Sequence, residues 1–167
     1  VVFKTPADNR TDYIKRLIGL PGDEIQFVEG KILINGNKII KKKVNNISQI
    51  RCGKFLLDVN FYEEILPNGS KYIAAYSKNG TLQNSQKFKV PNKHFFLLGD
   101  NRDCSRDSRY LDSVGYVNYI NLVGKAQIIF FSNDTVKGSL LKFWNLKNSF
   151  RFNRIFKKIK WKILKKN

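Results

Sequence analysis

Hydrophobic and polar residues alternate along most of the chain in short runs, a pattern typical of β-strands. The runs are rich in β-branched and aromatic residues, and turn residues separate them; Gly30 in EGK and Gly36 in NGN predict tight hairpins. No segment before about Gly138 has the 3.6-residue period of a helix. We therefore predict a mainly β fold with strands at residues 1–4, 13–19, 24–28, 31–34, 39–44, 61–66, 71–76, 87–90, 95–98 and 127–132.

The pattern divides the chain into a β domain, residues 1–136, and a tail, residues 137–167. Within the domain, the weaker patterning of about 45–91 indicates an insertion into a core sheet. In the tail, apolar residues at i, i+3, i+4, i+7 and i+11 form one helical face opposite lysines and arginines: Phe152, Ile155, Phe156, Ile159 and Ile163. This predicts a basic amphipathic helix in a membrane interface. A solvated tail, or a helix docked on the domain's own sheet, remains open.

The net charge of +18 predicts attraction to polyanions, either nucleic acid or an anionic membrane surface. Its distribution favours the membrane, since no acidic residue follows Asp134 while 11 lysines and arginines lie between Lys137 and Lys166. The longest apolar run, residues 72–76, is far shorter than the ~20 residues that span a bilayer. The chain contains no Met and opens within a strand pattern, so we expect a missing upstream segment.

The segment DYIKRLIGLPGDEI places Lys15 and Arg16 inside a predicted strand. Because side chains alternate between faces, Lys15 shares its face with Tyr13 and Leu17. Burial on that face disfavours the ammonium and lowers the lysine pKa, and a fall of roughly 3 units from about 10.4 would make the amine a general base near neutral pH. A buried lysine held in an ion pair without a catalytic role is the alternative.

The segment FFLLGDNRDCSRDSRY follows a strand with the densest polar run of the chain. Its aspartates and arginines alternate in sign, so its charge cancels: Asp100, Asp103, Asp107, Arg102, Arg106 and Arg109. A calcium loop of the EF-hand type needs glycine where Arg106 stands, so we expect no metal. We expect instead a loop folded on its own ion pairs, which holds the hydroxyls of Ser105 and Ser108 in place. A serine hydrolase without a catalytic histidine can use lysine as its base.

The remaining reactive residues add little. Cys52 and Cys104 have no metal or redox spacing, so either two thiols or one disulfide is compatible with the sequence. His94 is the single histidine and begins an apolar strand, where we interpret it as a capping or surface residue.

Three blocks resemble the bacterial signal peptidase I family, membrane-anchored Ser/Lys endopeptidases that remove signal peptides from exported proteins. VVFKTP is similar to the strand after the family's nucleophile segment, DYIKRLIGLPGDEI to its general-base block, and GDNRDCSRDSRYLDSVGYV to its final block. NLVGKAQIIFFS is similar to its closing strand. The blocks cover most of residues 1–132 in the family's order. The resemblance implies an antiparallel β assembly with a smaller inserted β subdomain.

The resemblance also implies roles for individual residues. Lys15, beside Tyr13, would deprotonate a serine nucleophile and then a water molecule, and Ser105 would hydrogen-bond the lysine amine. An ion pair of Asp107 with Arg109 would support the site, while Asp100 and Arg102 would stabilise the loop; Arg16 would pair structurally. No cofactor or metal is implied. The implied substrates are signal peptides of exported proteins, and the implied location is the bacterial inner membrane, with the catalytic domain on the periplasmic side.

Two departures from the family qualify this expectation. The Ser-Met-x-Pro-Thr segment that supplies the nucleophile, and the transmembrane helix before it, have no counterpart here, since Ser48 is the first serine. Cys104 replaces the usual asparagine. We therefore expect a serine endopeptidase whose chain, as given, is inactive. The alternatives are a non-catalytic basic binding module, directed at nucleic acid or a membrane surface, and a family relative that has lost activity; no specific nucleic acid is expected.

Overall fold

A computed structural model describes residues 1–129 and 154–159 of the chain. Within these ranges the protein is built from short strands and two single-turn 3-10 helices, Arg102–Cys104 and Tyr119–Asn121. The strands are β1 (Val2–Lys4), β2 (Asp12–Ile14), β3 (Arg16–Gly19), β4 (Glu24–Val28), β5 (Lys31–Ile34), β6 (Asn37–Lys38), β7 (Ile40–Cys52), β8 (Phe55–Ile65), β9 (Lys71–Ser77), β10 (Phe88–Lys89), β11 (His94–Leu98), β12 (Val117–Asn118) and β13 (Leu122–Gly124). The mainly β class predicted from the sequence is confirmed.

The strands form four antiparallel sheets, with orders β13-β1-β2, β10-β4-β5-β6, β12-β11-β3 and β7-β8-β9. The predicted turns fix the register of the second sheet. Glu29 and Gly30 have φ of 50° and 69°, and Asn35 and Gly36 have φ of 52° and 78°. Positive φ at both central residues matches the strand twist and makes two-residue hairpin loops. β4 and β5 consequently begin and end where the alternation predicts.

Two apolar clusters hold the sheets together. The larger cluster joins the inner faces of β4, β5, β9 and β11 and includes Ile25, Phe27, Tyr76 and Phe96. The smaller one is centred on Phe3 of β1 and Leu97 of β11, and Tyr13 and Leu17 pack against it. Neighbouring residues of β11 thus face different clusters, because strand side chains alternate. The loop that follows β11 is therefore anchored on a strand buried on both faces.

The β7-β8-β9 sheet overlaps the residues predicted as an insertion, and β7 and β8 run longer than the pattern indicates. Eleven residue pairs join β7 to β8, from Ile40 with Ile65 to Cys52 with Phe55. Tyr72, Ala74 and Tyr76 of β9 belong to the larger apolar cluster, so the sheet shares a core with the rest of the protein. The boundary at about 45–91 stays a prediction.

The helix expected in the tail is wrong for residues 154–159. These residues instead lie alongside residues 127–129: the N–H of Phe156 donates to the carbonyl of Ile129, and the N–H of Ile159 donates to that of Gln127. Phe156 has φ of 60°, which a right-handed helix does not allow. Backbone pairing with residues 127–129 has overridden the 3.6-residue period here. The rest of the tail lies outside the described residues. Among the described ones, there is no helix with the length and hydropathy that crossing a membrane requires.

Candidate active site

Lys15 lies at the break between β2 and β3, where the single strand predicted for 13–19 is interrupted. The backbone of Lys15 pairs with Val1: the Lys15 N–H donates to the Val1 carbonyl at 3.0 Å, and the Val1 nitrogen donates to the Lys15 carbonyl at 2.6 Å. The side chain is half-buried, and Nζ lies 5.5 Å from the centre of the Tyr13 ring. Lys15 and Tyr13 thus lie together, as the alternation predicts.

Ser105 faces Lys15 across Gly99. A Cβ placed on Gly99 would lie 1.8 Å from the Ser105 Oγ and 3.5 Å from the Lys15 Nζ. The hydroxyl and the amine therefore flank the same point, and their separation is no more than the sum of those two distances. Only the hydrogen of a glycine leaves room for both, which gives Gly99 a role that the sequence pattern does not reveal.

Gly99→Ala should destabilise the protein and displace Ser105, because no Cβ fits at 1.8 Å from the Ser105 Oγ. We expect the free energy of unfolding to fall by about 1–3 kcal/mol, the usual cost of overpacking. The control is Gly124→Ala, whose Cβ would meet nothing within 4 Å; its effect should stay within about 0.5 kcal/mol. Urea denaturation of both variants measures the difference, and equal stabilities would contradict the steric argument.

Asp107 and Arg109 form the predicted ion pair, with Arg109 Nε donating to Asp107 Oδ1 at 2.8 Å. Asp107 is fully buried and also accepts from the N–H of Gly99 at 2.9 Å. Arg109 Nη2 donates to the carbonyls of Arg102 and Ser105. The buried Ser108 accepts from the N–H of Leu97 through its Oγ, so it serves the loop's backbone. Together these bonds fix the loop around Ser105.

Asp100 and Arg102 pair outside the loop, so the expectation of a loop folded on its own ion pairs is wrong for these two residues. Asp100 accepts two hydrogen bonds from Arg16 of β3, at 2.7 and 2.8 Å. Arg102 pairs with Glu64 of β8, its Nη2 donating to Oε2 at 2.8 Å. In the folded protein Asp100 and Arg102 pair with residues that are distant in sequence and not with the neighbouring charges of their own loop. Each ion pair ties the loop to a different sheet.

Glu64 and Arg102 form the centre of a buried polar network that sequence reasoning missed. Their exposed side-chain fractions are 0% and 1%, and the hydroxyls of Tyr72 and Tyr76 donate to the two Glu64 carboxylate oxygens. Burial raises the pKa of both tyrosines, so they stay protonated donors. The signal in the sequence is a pair of adjacent glutamates in a strand, Glu63 and Glu64, which is too weak to identify a partner.

Burial lowers the pKa of Lys15 below its ordinary value of 10.5. Asp107 acts in the opposite direction by favouring the ammonium, Arg109 reinforces the lowering, and Asp100 opposes it. Because Asp107 is already paired with Arg109, desolvation is the dominant influence. The position therefore favours a neutral amine at a lower pH than an exposed lysine would.

Lys15 and Ser105 open into one cavity of about 430 Å³. Its walls combine the loop after β11 with β2 and the segment at 154–159, and include Val1, Ile14, Gly99, Asp100 and Ile159. A groove of about 730 Å³ lies elsewhere, between β3, β5 and the turn after β8. The described residues that line this larger groove include no serine, threonine, cysteine or histidine. We place the candidate site in the smaller cavity because it contains the reactive groups.

The other reactive side chains either lie outside this cavity or already form a disulfide or hydrogen bonds. Cys52 and Cys104 form a disulfide, which decides between the two interpretations that the spacing left open. Asp103 accepts from the N–H of Ser77 and the hydroxyl of Thr81. His94 lies at the start of β11, its Nδ1 2.8 Å from the Asn92 carbonyl oxygen. Among the described residues, no three histidine, cysteine, aspartate or glutamate side chains converge on a metal position.

A half-buried lysine that faces a serine hydroxyl in a cavity of an antiparallel β protein is typical of peptidases that use lysine as their base. The chain belongs to the signal peptidase family, peptidase S26, whose family model matches residues 1–131. It is 40% identical to the signal peptidase I of Rickettsia typhi and 36% identical to that of Rickettsia bellii, in each case over 95% of this chain. It spans 64% and 58% of those two proteins' lengths.

Among solved structures, the protein is similar to a crystal structure of a signal peptidase I from Enterococcus faecalis V583. The TM-score is 0.43 and the sequence identity is 24%. The match covers 74% of this chain and 89% of the crystallised one.

Proposed function

We propose that this chain is part of a signal peptidase I that cleaves signal peptides from exported proteins, with Lys15 as its general base. The observation that carries the proposal is the half-buried Lys15 amine, which faces Ser105 across Gly99 inside a cavity, in a chain of this family. Burial makes the amine easier to deprotonate, which is what a lysine needs in order to accept a proton near neutral pH.

The nucleophile in this proposal is a serine in the segment that precedes Val1. Val1 lines the cavity, and its backbone nitrogen and carbonyl both hydrogen-bond to the backbone of Lys15. In this proposal a residue just upstream of Val1 would therefore enter the cavity near the Lys15 side-chain amine. Ser105 orients the Lys15 amine in this proposal and is not the nucleophile. Without the upstream segment Lys15 therefore has no nucleophile to activate, and we expect the chain alone to be inactive.

The proposed mechanism has two stages. In the first, the neutral Lys15 amine takes the proton of the serine hydroxyl as its oxygen attacks the scissile carbonyl, and the ammonium then protonates the leaving amine. An acyl-enzyme and the free mature protein result. In the second stage, Lys15 deprotonates a water molecule that hydrolyses the ester. Lys15 passes that proton to the serine oxygen as the ester bond breaks. The signal peptide is released as a carboxylic acid, which loses its remaining proton to solvent and leaves as the carboxylate.

The remaining site residues support this chemistry by position. In this proposal the Ser105 hydroxyl, which faces the Lys15 amine across Gly99, would accept a hydrogen bond from the amine and orient its lone pair. The Tyr13 ring, 5.5 Å from Nζ, would help to exclude water. Asp107 and Arg109 hold the backbone of Gly99 and Ser105, while Asp100 and Arg102 tie the loop to Arg16 and Glu64. We extend the proposal to location: the domain faces the periplasm at the inner membrane, and the basic tail contacts anionic lipid.

Cleavage of a synthetic signal peptide by the full-length protein, measured across pH, tests the proposal. Only the neutral amine of Lys15 can accept a proton, so kcat/KM should rise with pH. Because burial lowers the pKa of Lys15, the midpoint of that rise should lie below 10.5, and Lys15→Arg should be inactive throughout. A full-length protein without cleavage at any pH would instead identify an inactive relative of the family.

A further inference from the structure

The disulfide between Cys52 and Cys104 joins the insertion to the candidate site. Cys52 is the last residue of β7, at the tip of the β7–β8 hairpin, and Cys104 ends the 3-10 helix that directly precedes Ser105. Their Cα atoms are 5.6 Å apart, although 52 residues separate them along the chain. The covalent bond thus attaches the residue before Ser105 to a hairpin whose described side chains do not line the cavity around Lys15.

The other anchors of this helix lie nearer the base of the hairpin. Arg102 pairs with Glu64, and Asp103 accepts from Ser77 and Thr81. The tip has no core of its own: of residues 48–58, whose side chains the structure describes, none is buried, and Phe55 is 74% exposed. The disulfide is the covalent attachment between the tip and the loop, and it fixes the loop end at Cys104 to the tip.

The hairpin tip also forms a wall beside Ser105. A second cavity, of about 600 Å³, is lined by Cys52, Cys104, Ser105 and Tyr110. Ser105 lines both this cavity and the one that contains Lys15. Movement of the tip would change the space on one side of Ser105 and so the place of its hydroxyl relative to the Lys15 amine. Both cysteines are half-exposed, so a reductant can reach the bond.

We propose that the Cys52–Cys104 disulfide is a positioning element for Ser105, and that the full cleavage rate requires its oxidised form. The inference rests on the proposed function of Lys15 and Ser105. It adds a dependence on an oxidising compartment, since such bonds persist outside the reducing cytosol. The cysteines touch neither the reacting atoms nor the substrate; they act through the loop.

The expected fall in kcat on reduction depends on the bonds that still hold the loop after the disulfide is broken. A misplacement of about 1 Å can lower a rate 10²-fold. Arg102 and Asp103 keep most of the loop in place after reduction, so we expect a fall in kcat of roughly tenfold, with KM nearly unchanged. Water that enters around a displaced Ser105 would also reduce the desolvation of Lys15. The midpoint of the pH profile should then shift toward higher pH.

The test uses the full-length protein in detergent, oxidised or treated with dithiothreitol. One thiolate of the reductant attacks a cystine sulfur to form a mixed disulfide. The second thiol then closes the reductant's ring and releases Cys52 and Cys104 as thiols, a two-electron reduction. Cys52→Ser/Cys104→Ser serves as the matched control, because it lacks the bond and should match the reduced enzyme with or without reductant. Reoxidation should restore the wild-type protein alone.

Two readouts separate this inference from the function on which it rests. Equal kcat and equal pH midpoints in the oxidised and reduced enzymes would overturn it. The Lys15 titration can also be followed directly by lysine 15N NMR of the same protein, with Lys15→Arg to assign the signal. If neither the oxidised nor the reduced enzyme cleaves signal peptides, the proposed function fails. In that case, a Lys15 pKa that still changes on reduction would support the coupling between the disulfide and the site. An unchanged Lys15 pKa would overturn that coupling.

Discussion

Lys15→Ala in the full-length protein is expected to abolish signal-peptide cleavage while the protein remains folded. Among the described residues that line the cavity with Ser105, Lys15 is the only lysine. Its removal therefore leaves no amine to accept the serine proton. General-base catalysis contributes about 10²–10⁴-fold. The loss should exceed that range, because without the base the nucleophile stays a neutral hydroxyl and no acyl-enzyme forms.

Stability separates this prediction from the structural alternative. A half-buried ammonium is a liability for folding, so its removal should cost little. If Lys15 instead served as the partner of a buried carboxylate, its loss would strand that charge and lower the free energy of unfolding by about 3–5 kcal/mol. Parallel measurements of kcat/KM and of urea denaturation therefore decide between the two roles. An inactive variant that is also unfolded would argue against the general base.

Lys41 offers a matched control for Lys15. It is also a half-buried lysine against a tyrosine, with Nζ 3.3 Å from the centre of the Tyr76 ring, and it donates to the Gly30 carbonyl. Burial lowers its pKa to about 8. It does not line the cavity of Lys15 and Ser105. Lys41→Met should therefore keep cleavage activity. An inactive Lys41→Met variant would show that any half-buried lysine with a lowered pKa affects the rate, and not specifically the lysine in the cavity.

Glu64→Ala is expected to produce the largest loss of stability. It leaves the Arg102 guanidinium buried without its carboxylate and removes the acceptor of the Tyr72 and Tyr76 hydroxyls. Removal of one partner from a buried ion pair costs about 3–5 kcal/mol. For a chain of this size the melting temperature should fall by roughly 6–20 °C. Differential scanning calorimetry of the isolated chain measures the change.

An exposed ion pair of the same protein provides the comparison. Lys4 and Asp12 are 3.2 Å apart with side chains 45% and 57% exposed. Solvent screens such a pair, so Asp12→Ala should change stability by less than about 1 kcal/mol. Glu64→Gln, which keeps acceptor atoms but not the charge, should fall between the two. If Glu64→Ala matched Asp12→Ala, the buried network would not be a stabilising feature.

Much of the sheet was predictable because local rules decide it. Glu29–Gly30 and Asn35–Gly36 set two-residue turns, and the alternation on each side then fixes β4 and β5. Lys15 beside Tyr13 follows from strand alternation in the same way, whereas the ion pair of Asp107 with Arg109 was expected from the family resemblance.

The rest depends on partners that are distant in sequence. Arg102 could have paired with any aspartate of its own loop, yet it pairs with Glu64, 38 residues away. The disulfide has no local signal for the same reason. At residues 154–159 the apolar period is real, but the backbone at 127–129 supplies hydrogen bonds that a helix would otherwise make internally. Local periodicity cannot register a partner that is distant in sequence.

The pairing of β3 with β11 also governs when the site comes into existence. Arg16 and Asp100, which flank the base and its loop, are 84 residues apart in the chain. Contacts of such long range form late and slowly, because loop closure must precede the energy they return. During synthesis Lys15 is therefore an ordinary solvated lysine until the chain has extended beyond Ser105. Under the proposed function, a site assembled in this order is inactive while the polypeptide is still unfolded, so the nascent protein is protected from its own chemistry.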